Sequence, residues 1–117
     1  MIYEVRGKQV ILDSDIAKLY QVETKRVNEA VKNNIEKFPE RFSWILEDFE
    51  WNNLRSKISS SRANNYGGRR YSPRVFTEQG VVMLATILKS SIAIKTSINI
   101  MDALFFLKIK YLMHIQK

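Results

Sequence analysis

DSDIAKLYQVETKRVNEAVKN, residues 13–33, reads as two short helices joined by a tight turn. Asp13 offers an N-cap acceptor, and Ile16, Leu19 and Tyr20 follow at helical spacing. After a turn at Gln21-Val22, Thr24 can cap a second helix running to about Asn33. Val27 and Val31, four apart, give that helix a buried face, while Lys25, Asn28, Glu29 and Lys32 lie on the other. A helix pair whose second member shows water a polar, basic face is the outline of a helix-turn-helix. An ordinary pair of core-packing helices has the same outline, so the flanking sequence must arbitrate.

Upstream, Ile2–Arg6 and Gln9–Leu12 are β-prone runs separated by Gly7-Lys8, which predicts a hairpin. Downstream, Pro39 has no amide donor and forces Phe38 out of helical geometry, so residues 38–42 form an extended connection leading to a short strand over Phe42–Leu46. Asp48 is placed to cap a third helix through about Ser59, with Phe49, Trp51, Leu54 and Ile58 as its apolar stripe. Residues 59–68 have loop composition. Arg69–Val75, interrupted by Pro73, reads as a hairpin arm or edge strand, since a central strand does not spare an amide. Thr77 caps a further helix in which Val81, Val82, Leu84, Ala85 and Leu88 are apolar almost all round, and Gly80 marks a close backbone approach.

A last helix starts near Ser91. Ile94, Ile98, Met101, Phe105, Lys108, Leu112 and Ile115 follow a 4,3 spacing along it, beside a second stripe of Ile100, Leu104, Leu107 and Tyr111. One face can pack on the domain while the other takes a partner, and a seam of this length predicts a homodimer through the C-terminal helix. The fold expected is α+β: a mostly helical, winged-helix-like domain with short β-hairpins and a long C-terminal helix. Residues 1–117 are expected to form one domain, with 1–90 as the core and 91–117 as a helix that serves oligomerisation or leads into further sequence.

Composition narrows the function. The 117 residues are 45% hydrophobic, enough for one modest core, and contain no cysteine; that leaves no disulfide or thiolate chemistry and suits a reducing cytoplasm. Charges at Glu4, Arg6 and Lys8 rule out a signal peptide at the N-terminus, and no eighteen-residue apolar run exists to span a membrane. The net charge is +7, and it is unevenly spread: residues 1–50 hold eight basic and ten acidic residues, whereas 51–76 hold six basic and no acidic ones. An uncompensated basic block attracts a polyanion.

The sharpest feature is Asn64-Asn65-Tyr66-Gly67-Gly68-Arg69-Arg70-Tyr71. Glycines at a hairpin tip let the backbone approach another molecule closely, and paired guanidinium forks match phosphate oxygens or guanine edges. The candidate DNA contacts are therefore Thr24, Lys25, Arg26, Asn28 and Lys32 on the second helix, with Arg62, Gly67, Gly68, Arg69, Arg70 and Arg74 on a basic wing. Glu29 can read cytosine but pairs as readily with Lys25 or Lys32. Catalytic signatures are missing: there is no phosphate loop, paired histidine set, nucleophile elbow or dinucleotide fingerprint. Asp13, Asp15 and Glu4 can in principle hold a Mg²⁺ for a nuclease, but capping already accounts for acids at a helix start. No enzyme activity, cofactor or metal is expected.

Three stretches carry a family resemblance: RGKQVILDSDIAKLY (6–20), VETKRVNEAVKNN (22–34) and GGRRYSPRVFTEQGVVML (67–84). The chain resembles phage-encoded regulatory domains related to KilA-N and Bro-N, specifically the relatives named for the N-terminal domain of phage open reading frame six. The resemblance covers roughly Val5 to Leu107. It implies a DNA-binding domain of a phage or prophage transcriptional regulator or antirepressor, with double-stranded DNA as partner. The alternative it leaves is a protein-interaction module that sequesters a repressor protein without touching DNA. One departure is Gln21, where relatives often have glycine in the turn.

Overall fold

The computed structural model describes residues 1–58 and 72–115. It is α+β, with a four-stranded antiparallel sheet and five α-helices among the described residues. The N-terminal hairpin comprises β1 (Ile2–Val5) and β2 (Lys8–Leu12), in register from Ile2 opposite Ile11 to Val5 opposite Lys8. Its turn is Arg6-Gly7, one residue earlier than the sequence suggests, and both residues have positive φ, 55° and 72°. Two successive left-handed residues match the twist of the flanking strands. The sheet continues to β3 (Ser43–Ile45) and β4 (Arg74–Phe76) in the order β1-β2-β4-β3.

β4 is thus a central strand, not the edge strand that Pro73 suggested. The proline ends just before the ladder, and its carbonyl still accepts a hydrogen bond from the Leu46 amide at 3.0 Å. The missing N–H costs nothing there, because pairing through β4 begins at Arg74.

Strand alternation splits the core in two. Val10, Leu12, Trp44 and Val75 point to one face, where Leu46, Trp51, Leu54 and Ile58 close over them. Ile11 and Phe76 point to the other, against α1 (Asp13–Tyr20), α2 (Thr24–Lys32), α4 (Glu78–Leu88) and α5 (Ser91–Ile115). The helix on the first face is α3 (Asp48–Arg55). Its buried side is Glu50, Trp51 and Leu54, continued by Ile58, so Phe49, 68% exposed, turns outward and not into the expected stripe.

Helix starts follow the predicted places through different residues. Leu12, Glu23 and Glu47 occupy the N-cap positions of α1, α2 and α3, so Asp13, Thr24 and Asp48 are the first helical residues. At α3 the cap is a reciprocal box between Glu47 and Glu50. Thr77 caps α4 as expected, accepting from the Gly80 amide at 3.3 Å. A Cβ on Gly80 would run into the Phe42 carbonyl oxygen, which is the close approach the glycine permits. α4 is less enclosed than its composition implied: Val81 and Leu84 are fully buried but Val82 is 41% exposed. α5 lies against the body through Ala93, Ser97, Ile100 and Leu104 and leaves Ile94, Ile98 and Phe105 exposed. No helix among the described residues is long and apolar enough to cross a membrane.

Candidate nucleic-acid interface

α1 ends in a left-handed residue, Gln21 at φ 60° and ψ 42°. The Val22 amide reaches back to the Ala17 carbonyl at 2.9 Å and the Gln21 amide to Lys18 at 3.2 Å, the pairing of a Schellman turn. This reverses the chain within a few residues and sets α2 against α1. Val27, Ala30 and Val31 are buried in the junction. Lys25, Glu29 and Lys32 are exposed on the far side, as the periodicity predicted, and Arg26 is exposed as well. Lys25 and Glu29 approach only to 4.0 Å, a loose surface pair that leaves the lysine, 80% exposed, available to another anion. Thr24 and Asn28 lie half-buried at the margin.

Asn28 is engaged by the fold. Its Nδ2 donates to Asp13 Oδ2 at 2.9 Å and to the Thr24 carbonyl at 3.2 Å. The same Asp13 oxygen accepts the backbone amide of Arg74 at 3.2 Å, while Oδ1 accepts the Ser14 amide at 2.7 Å. A buried carboxylate, 1% exposed, therefore joins the start of α1 to the middle of α2 and to the first residue of β4. Arg74 is half-buried, and its Nη1 donates to Ser43 Oγ at 3.1 Å. Burial lowers the Arg74 guanidinium from its ordinary value and the Asp13 charge opposes that shift.

Arg62, Gly67, Gly68, Arg69 and Arg70 lie outside the described residues, as does the expected wing hairpin up to Tyr71. The ends of that basic stretch are described. The chain leaves at Ile58, buried against Trp51 and Leu54, and returns through Ser72 and Pro73 to Arg74. Because one Asp13 oxygen accepts from both Asn28 and Arg74, the return point of the basic stretch sits directly beside α2.

Asp13 in this bridging role escaped the sequence reading. Its partners are 15 and 61 positions away, and an acid at a helix start already has a local explanation in the helix dipole. The Arg6–Glu50 pair was equally illegible: Arg6 Nε and Nη2 meet the Glu50 carboxylate at 2.8 and 3.0 Å, and the guanidinium lies 4.7 Å from the Trp44 ring centre. Among the described residues no three His, Asp or Glu side chains converge in a metal-binding arrangement.

No curated protein and no solved structure matches the chain. The model of the ORF6N domain matches residues 1–87, which takes in the hairpin, the α1–α2 pair and nearly all of α4. With about three-quarters of its length matched, the chain belongs to the ORF6N domain family, the phage-associated group its sequence resembles.

Proposed function

We propose that this domain binds double-stranded DNA as part of a phage-type regulator, with α2 in the major groove and the basic stretch 59–71 beside it as a wing. The observation that carries the reading is the Asp13 bridge. It holds Arg74, just after the basic stretch, against the helix whose outer face exposes Lys25, Arg26 and Lys32. Cations grouped in this way suit neighbouring phosphates of a single duplex, and base contacts from the same helix supply selectivity. Asn28 and Arg74 serve this surface mainly by holding it, since their side chains are already hydrogen-bonded within the fold.

The reading is tested by mobility shift at several salt concentrations. With Lys25, Arg26, Lys32, Arg62, Arg69 and Arg70 on phosphates, log affinity should fall with log salt at a slope of about −5, near 0.9 per contact. Replacing Lys25, Arg26 and Lys32 with Ala should flatten that slope by about 2 to 3 and leave the thermal midpoint unchanged, because none of the three is buried. An unaltered slope removes α2 from the interface. The rival reading, capture of a repressor protein through α5, draws on the exposed apolar side of that helix and expects no salt-sensitive shift of DNA at all.

A further inference from the structure

α5 extends past the body it packs on. Beyond Leu104 only Leu107 among the described side chains is even half-buried, so the helix carries Phe105, Phe106, Ile109, Tyr111, Leu112 and Met113 in the open. Ile94 and Ile98, 48% and 50% exposed, extend the apolar stripe back toward the start of the helix. Ile94, Ile98, Phe105 and Leu112 share one face of the helix, whereas Phe106, Tyr111 and Met113 turn to other faces, so the shared face is a single apolar stripe and not a belt around α5.

We propose that a second copy of this chain covers the Ile94–Phe105 part of the stripe, with the two α5 helices antiparallel and Ile94 of each packed on Phe105 of the other. In this register Ile98 meets Met101, so the four central layers are apolar against apolar, and Lys108 falls at the rim across from Ser91 of the second copy. Charge selects it. Asp102 is the sole acid on α5, and the antiparallel register sets it across from Lys95 of the second copy, once on each side of the two-fold axis. Two other alignments fail on the same residues. A parallel pairing puts Lys108 against Lys108 inside the seam. An antiparallel pairing slid toward the C-terminus, with Ile94 on Leu112, sets Asp102 beside Asp102 and buries Lys108 against Ile98. The Ile94–Phe105 stretch is thus complementary to itself in this register, a property that docking of an unrelated chain does not require.

Sedimentation equilibrium of the full chain at tens of micromolar decides the matter. The wild type should sediment at twice the chain mass, and changing Ile98 and Phe105 together to Glu should give a monomer with an unchanged far-ultraviolet spectrum. Lys95→Glu and Asp102→Lys should each weaken the dimer about tenfold, because two symmetric pairs turn repulsive at once, and the double swap should restore it. Both positions are exposed, so this series decides the case even if the Glu variant fails to fold. A monomeric wild type overturns the proposal and assigns the stripe to another protein or to further sequence of its own. A double swap that does not recover the dimer, or a folded Ile98/Phe105 variant that stays dimeric, overturns it as well.

Discussion

Asp13 shows how one side chain can tie distant parts of a small fold together. Its carboxylate is out of water and satisfied by amide donors from α1, α2 and β4. Removing it strands those donors, and a buried unsatisfied donor costs about 1–3 kcal/mol. Asp13→Ala should therefore lower stability by about 2–4 kcal/mol in urea unfolding; a loss under about 1 kcal/mol would mean that water replaces the carboxylate easily. Glu50 makes a different prediction, through acid. The Arg6 hydrogen bonds hold its carboxyl below the usual value of 4.5, outweighing the desolvation that pushes it up. A depressed folded value means the stabilisation is complete above about pH 4.5 and drains away as pH falls through the lower folded value. The stability gap between wild type and Arg6→Ala should accordingly stay flat near neutrality and shrink below about pH 4.5, as urea melts across that range would register. A gap that widened in acid would contradict the pairing.

At the level of elements, the turn between α1 and α2 sets how α2 is presented, and it does so under strain. Gln21 occupies left-handed backbone at φ 60°, where a side chain costs about 1 kcal/mol that glycine avoids. Gln21→Gly should raise stability by about 0.5 kcal/mol, less than the full relief because glycine also frees the unfolded chain. Destabilisation would show that the glutamine side chain does more than tolerate the turn. This turn was legible in the sequence, as were the α1–α2 pair, the Thr77 cap and the close approach at Gly80, because their signals are local: apolar spacing, a capping hydroxyl, a residue without Cβ. What stayed hidden depended on partners far along the chain. Pro73 looked like a bar to a central strand until Leu46 was found bonded to its carbonyl. Phe49 is a different matter, one of local geometry: residues two apart on a helix differ by about 200°, so it cannot share the stripe of Trp51. Of the candidate site, the exposure of Lys25 and Lys32 followed from periodicity, whereas the engagement of Arg74, and of Asn28, which the same periodicity set on the open face, required knowing where β4 lies.

Across the whole molecule, the DNA-binding role proposed for the basic stretch can be tested apart from folding. It joins α3, which covers one face of the sheet, to β4, whose Val75 and Phe76 enter the two cores on opposite faces. The residues that pin its ends, Ile58 and Arg74, belong to the packed body and hold their places through Trp51, Leu54, Ser43 and Asp13. If the stretch serves through its charge, as proposed, changing its composition at constant length should have little effect on stability. Replacing residues 60–70 by an equally long Gly/Ser segment should leave the thermal midpoint within a few degrees. The same replacement removes Arg62, Arg69 and Arg70 together, and log affinity against log salt should flatten by about 2 to 3. If the replaced chain binds as before, DNA recognition rests on α2 alone and the stretch is only a connection; if the chain unfolds, the stretch belongs to the core and its charge is secondary to its packing.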